Sequence, residues 1–185
     1  MTGLKNKLNG SQIFLDEMLD VWKEVRAGLI AELQQIPPDQ FAFQATPQSH
    51  SVAGLIRHIL ETQKFLVTEL CRPDTDFTRL PKEKVRESIE RQAAQAHSGG
   101  DKEQLIASLR SQMEWAEVTL RAFGEDALEE KAVPRRDGKT MSKLGYLCFI
   151  TSHENYHRGQ IALYERMMQI EPVLTTKFRK IQTAD

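Results

Sequence analysis

The chain is poor in the features that would announce a membrane, a nucleic acid or an oxidising compartment. Two cysteines in 185 residues, Cys71 and Cys148, are too few and too far apart for a disulfide framework or a zinc finger; they read as reduced, packed thiols. No segment approaches the roughly 20 continuous apolar residues that a membrane helix needs. Met1 to Gly10 is polar and lacks the apolar stretch of a signal peptide, so a cytoplasmic protein without a membrane partner is expected. The net charge is −1, with lysine and arginine spread among aspartate and glutamate. There is no basic run and no basic strip with interleaved aromatics, which argues against nucleic acid as a partner.

Convincing strand patterns are also lacking, whereas four helical ones are strong. The first runs from about Ser11 to Ile36, with Leu15, Met18, Leu19, Trp22, Val25, Leu29 and Leu33 at helical spacing. Pro37-Pro38 stops it, because proline neither donates a backbone hydrogen bond nor fits the preceding turn. The second begins after Pro47, capped by Ser49 or Ser51, and reaches about Leu70 before Arg72-Pro73-Asp74. Residues 82–97 are charged with little to bury and read as a solvated linker or short surface helix. Asp101 caps the third helix, which carries Leu105, Leu109, Met113, Ala116 and Leu120 to about Phe123. A turn-rich stretch with Pro134 and Asp137-Gly138 leads to the fourth, about Ser142 to Gln169.

That last helix is unusual. One stripe holds Tyr146, Ile150, His153, His157, Ile161, Tyr164 and Met168; a second holds Phe149, Tyr156, Leu163 and Met167. Gly145, Ser152 and Gly159 recur every seven residues and would admit a neighbouring backbone, which favours a subunit interface. A helix of about 40 Å at 1.5 Å per residue suits the long axis of a four-helix bundle. The long connection between the second and third helices can cross the bundle and leave those two parallel. The expectation is an all-α four-helix bundle, one domain over residues 1–185.

His153 and His157 are four apart, so both rings face one side of the helix and can meet one metal ion. A site that keeps an open position uses three protein ligands, and His58, on an apolar face of the second helix, is the best third. His50 lies in a turn and His97 in the charged stretch; both read as ordinary polar histidines. The run also spells His-Glu-x-x-His, the zinc-protease helix. Its extended form requires Gly and His where this chain has Gln160 and Leu163, leaving only Glu165 and Glu171 as formal downstream ligands. A peptidase is therefore a weak reading.

His157-Arg158-Gly159-Gln160-Ile161 followed by Tyr164 and Arg166, with Pro172 beyond and His58 upstream, resembles the DinB/YfiT-like family. The resemblance spans nearly the whole chain in helix order and is sharpest in the second and fourth helices. It implies a down-up-up-down bundle, usually dimeric, holding a divalent metal on His58, His153 and His157: zinc first, with nickel, manganese or iron as alternatives. It also implies a thiol-dependent transferase or isomerase that takes a low-molecular-weight thiol as co-substrate and a small-molecule electrophile as substrate. The long 82–97 segment and Asn155-Tyr156 depart from the family pattern.

In a three-histidine site the neutral imidazoles leave the ion its full charge, so a thiol ligand would be deprotonated and a water ligand acidified. A thiol S-transferase, a metal-dependent hydrolase and a non-catalytic metal-binding stress-response dimer are the competing functions. Glu154 is a candidate general base at the rim of the metal-facing stripe, with a surface pair to Arg158 as its ordinary alternative. Gln160 could orient water or substrate, and Arg57 and Arg158 are candidate contacts for a thiol's carboxylates.

Overall fold

The structure, a computed structural model, describes residues 10–79, 81, 83–84, 101–124, 127–128, 132–135 and 137–182. His97 and nearly all of the charged 82–97 segment therefore lie outside the described residues.

Four long helices carry the fold: α1 (Gly10–Gln35), α2 (Val52–Leu70), α3 (Lys102–Phe123) and α4 (Lys143–Met167). Their limits follow local chemistry. Ser51 Oγ accepts from Gly54 N at 3.0 Å, Asp101 Oδ1 from Glu103 N at 3.0 Å, and Ser142 Oγ from Gly145 N at 3.0 Å, each satisfying an orphan donor of the first turn. Lysines close two of the opposite ends. Lys102 Nζ donates to the Gln34 and Ile36 carbonyls at 2.9 and 2.8 Å, at the C-terminal end of α1. The buried Lys143 donates to those of Leu70 and Arg72 at 2.9 and 3.0 Å, at the C-terminal end of α2, with its ammonium over the Phe123 ring.

Cross-helix pairs give the directions. Trp22 and Arg26 meet Glu154, Glu32 meets Arg158 and Gln35 meets Glu165, so α1 and α4 run parallel. Gln112 bonds Leu60 O, Lys64 lies over Trp115 and Cys71 reaches Thr119 O, so α2 and α3 are parallel too. Asp16–Arg121 and Lys23–Glu117 make α1 and α3 antiparallel; His58–His153 and Leu70–Lys143 do the same for α2 and α4. The bundle is therefore down-up-up-down.

Its core has two halves. One packs Leu15, Leu19, Trp22, Leu66, Leu70, Met113, Leu120, Leu147 and Ile150; the other packs Leu29, Leu33, Phe41, Leu55, Ile56, Ile59, Leu109 and Ile161. Each fully buried aliphatic or aromatic side chain stabilises the bundle by about 1.5–3 kcal/mol relative to exposure. Between the halves lies a polar layer of Arg26, Gln63 and Glu154, all buried. It corrects the reading of α1, whose inward residue at this level is Arg26 while Val25 is only half-buried.

Four short elements were not foreseen. A 3-10 turn (Pro38–Ala42) folds Phe41 into the core. β1 (Ala132–Pro134) and β2 (Thr140–Ser142) pair antiparallel, Val133 opposite Met141, around a turn in which Gly138 takes φ 80°. α5 (Val173–Gln182) follows α4 through Gln169, whose φ of 64° ends that helix, and is pinned by Val173 N donating to Glu32 Oε2 at 2.6 Å. Both cysteines are free; Cys71 is half-buried, its thiol pushed up to about 11 by burial, but Cys148 is exposed beside Met18 rather than packed. No helix among the described residues is long and apolar enough to cross a membrane.

Candidate metal centre

Antiparallel crossing of α2 and α4 brings His58 opposite His153 and His157, and the three are the metal-capable group of the described residues. His153 Nε2 lies 3.1 Å from His58 Nε2 and 3.1 Å from His157 Nε2. His157 is buried, while His58 and His153 are half-exposed on the side of the bundle. The three nitrogens cannot satisfy one another, because one Nε2 carries either a proton or a lone pair and cannot suit both neighbours. A tetrahedral ion at about 2.0–2.1 Å would separate its nitrogen ligands by about 3.3 Å, close to what is seen. The donor set therefore fits a divalent metal.

The electrostatics agree. Burial, followed by the neighbouring His157 and His58, holds His153 down at about 4. Burial also lowers His157, against the raising effect of its hydrogen bond to Gln160. Both rings are thus neutral near pH 7, the form that ligates. Gln160 Oε1 lies 2.6 Å from His157 Nδ1, so it accepts that N–H and leaves Nε2 bare toward the centre. His153 Nδ1 is buried and finds no hydrogen-bond partner.

The turn before α2 adds a ring that sequence reasoning set aside. Thr46 and Ser49 close it, Tyr164 donates to the His50 carbonyl at 3.0 Å, and the His50 ring stacks on His58 at 5.6 Å and 16°. Burial and the His58 ring lower His50, which stands outside the converging nitrogens. Around the outer side, Phe149 approaches His153 with ring centroids 6.0 Å apart, and Tyr156 approaches His157 at 5.1 Å.

Two expected site residues are elsewhere. Glu154 neither reaches the metal rim nor pairs with Arg158. It is completely buried, its oxygens accepting from Trp22 Nε1 at 2.6 Å, Arg26 Nε at 2.5 Å and Gln63 Nε2 at 2.5 Å. One residue beyond His153 is a 100° rotation of the helix, which turns Glu154 into the core. Arg26 completes the layer by donating to the Leu109 carbonyl at 2.5 Å and to Gln63, tying all four long helices together. Arg158 likewise faces α1, donating to the buried Glu32 at 3.3 Å with its guanidinium over Gly28, where any Cβ would collide. That position takes it away from any thiol at the histidines. Arg57 is half-buried next to His58, and Gln160 spends its oxygen on His157. A signal for the polar layer existed: Arg26 and Gln63 occupy core positions of otherwise apolar stripes.

The fold has known counterparts. YfiT from Bacillus subtilis, described as "a probable metal-dependent hydrolase with an unusual four-helix bundle topology", is similar with a TM-score of 0.66 and 15% identity, over 92% of this chain and 95% of that one. A mycothiol-dependent maleylpyruvate isomerase gives 0.62 and 15%, over 80% of this chain and 60% of that one. A DinB-like protein from Bacillus subtilis, YjoA, gives 0.54 and 16%, over 83% and 92%. Comparison with curated protein sequences finds no match. The family model of the DinB superfamily matches residues 22–161, the later part of α1, all of α2 and α3 and most of α4 including all three histidines, and the chain belongs to that superfamily.

Proposed function

We propose that this protein is a metal-dependent thiol S-transferase, in which His58, His153 and His157 hold a divalent ion, zinc first, that activates a low-molecular-weight thiol toward an electrophilic small molecule. The observation that carries the reading is the convergence of three Nε2 atoms at the bundle's side, two of them on half-exposed rings. The three neutral imidazoles would leave such an ion its full charge, and the chemistry it would supply there is a lowered pKa for a thiol or water bound to it. The chain's own part is positional. Gln160 fixes the tautomer of His157, and Arg57, half-buried and next to His58 in sequence, is the candidate to meet a carboxylate of the thiol. The likeness to an isomerase named for mycothiol supports a thiol co-substrate. The printed description of YfiT supports a second reading, a hydrolase in which water replaces the thiol.

The outward side of α4 supports a two-fold homodimer: Leu163 and Met167 are about half exposed, and a Cβ at Gly159 would meet nothing within 4 Å. Metal analysis of untagged protein tests the centre. His58→Ala, His153→Ala and His157→Ala should each lose the metal, whereas His50→Ala should keep it. Unchanged stoichiometry in both His153→Ala and His157→Ala would sink the assignment. A screen of thiols against electrophiles then tests the chemistry. Turnover of esters or amides without any thiol would put the hydrolase in its place, and no turnover of either kind would leave a metal-binding protein without catalysis.

A further inference from the structure

Large aromatic side chains stand exposed on both lips of the groove that holds the histidines. Phe65 lies seven residues after His58 on α2, and Phe149 four before His153 on α4, so each shares its helix face with a ligand. They are 38% and 47% exposed. The pairs Gln63–Glu154 and Leu70–Lys143 fix the antiparallel register and set Phe65 level with Phe149. Behind them the wall is aromatic too: Phe65 meets Phe77 edge-on at 6.1 Å, and Phe77 stacks on Tyr146 at 4.1 Å. At the other end of the groove are polar groups, with Gln160 Nε2 donating to Tyr156 Oη at 3.4 Å and the His50 ring over His58. The groove is thus apolar on one side of the histidines and polar on the other.

Single exposed apolar residues are ordinary, but two facing phenylalanines against a reactive centre, backed by a buried stacked pair, make a wall for planar apolar surface. We infer that the α2/α4 groove seats an aromatic or similarly flat apolar substrate body between Phe65 and Phe149, with the polar reacting end at the three histidines. This rests on the metal-centre reading and adds the substrate class. A small molecule is favoured over a second copy because Phe149 lies against the His153 ring itself. A partner seated there would close the centre's open side.

The test uses cobalt-loaded full-length protein and two probes with the same metal-binding head, acetohydroxamate and 3-phenylpropanehydroxamate. Dissociation constants come from the cobalt visible spectrum, so no turnover is needed. Burying the added phenyl group should make the second probe bind about tenfold tighter or more. In Phe65→Ala/Phe149→Ala that preference should fall to about twofold or less, with cobalt stoichiometry and acetohydroxamate affinity unchanged. Equal affinities in the wild type, or a preference that survives the double substitution, would overturn the inference while leaving the metal centre standing. A dimer that dissociates on Phe149→Ala would overturn it in favour of a second copy on that face. Failure of cobalt to bind, or a spectrum that neither probe changes, would remove the metal-centre reading and this inference with it.

Discussion

The buried Glu154–Arg26 layer gives the sharpest test of the structural account. Glu154 accepts four donors on two oxygens, from Trp22, Gln63 and twice from Arg26, at full burial. Glu154→Ala leaves a guanidinium, itself 3% exposed, with only the neutral oxygens of Leu109 and Gln63. Removing one partner of a buried pair costs about 3–5 kcal/mol. For a chain of this size each kcal/mol moves the midpoint by about 2–4 °C, so the melting temperature should fall by about 6–20 °C. Glu154→Gln keeps the shape but turns an amide donor toward other donors, and should lose about 1.5–3 kcal/mol. Arg26→Met/Glu154→Leu should recover only part of the loss, because it replaces the charged pair by apolar residues but leaves the buried Trp22 and Gln63 donors without their acceptor. Thermal and urea unfolding of metal-free protein, completed as a double-mutant cycle with Arg26→Met, measure this directly. Single variants within about 1 kcal/mol of wild type would refute the reasoning, since that is the range of an exposed pair. A Glu154→Gln protein of unchanged stability that still binds metal but has lost all turnover would point to a catalytic base instead.

Three further outcomes are expected. Gln160→Ala frees the His157 tautomer and should weaken metal binding by about 10–100-fold in a competition titration with the fold intact; an unchanged affinity would remove its orienting role. Burial, then the adjacent Glu32, pushes the Glu165 carboxyl up to about 8, far above its usual 4.5. A raised carboxyl gives stability that is complete below the unfolded pKa and lost as pH rises through the folded one, so wild type should weaken from pH 5 to 8.5 while Glu165→Gln does not; parallel pH profiles of the two would contradict this. Gly159→Leu meets open space within the chain, so light scattering should show a dimer lost while circular dichroism still shows the intact helical fold, and an unchanged oligomer would exclude that face.

The long helices were legible because each carries an apolar face at helical spacing between clear stops, as with Pro37-Pro38 after α1. The short elements were not. α5 buries no residue, so no core stripe exists to read, and each strand of the hairpin has only three residues with Val133 its buried one. The histidine trio was legible for the same reason as the helices. Four-residue spacing forces His153 and His157 together, and few other histidines remained to join them. What spacing could not give was the environment of a charged residue. Glu154 and Arg158 were read as belonging to the rim or the surface because isolated charges prefer water, and that preference is reversed only by partners on other helices.

Those partners explain how one helix serves both purposes. α4 carries His153, the buried carboxylate of Glu154 and His157, so one rotation about its axis places both histidines of the proposed centre and the carboxylate. The carboxylate is bonded to Trp22, Arg26 and Gln63, and Arg26 in turn to Leu109. Any rotation that moved the histidines off their common point would also break this layer. Purely apolar contacts would resist such a rotation less, since they are non-directional and can repack, whereas hydrogen bonds weaken steeply with angle. Gln63 makes the same link from α2, five residues after His58, so both helices that carry the three histidines are referenced to one buried carboxylate. The charged layer that divides the core thus sets the phase of the centre at its edge, and Glu154→Leu in a stable background should loosen the metal without touching a ligand. A cobalt spectrum and affinity identical to those of wild type in Arg26→Met/Glu154→Leu would show that the helices hold their rotation without it.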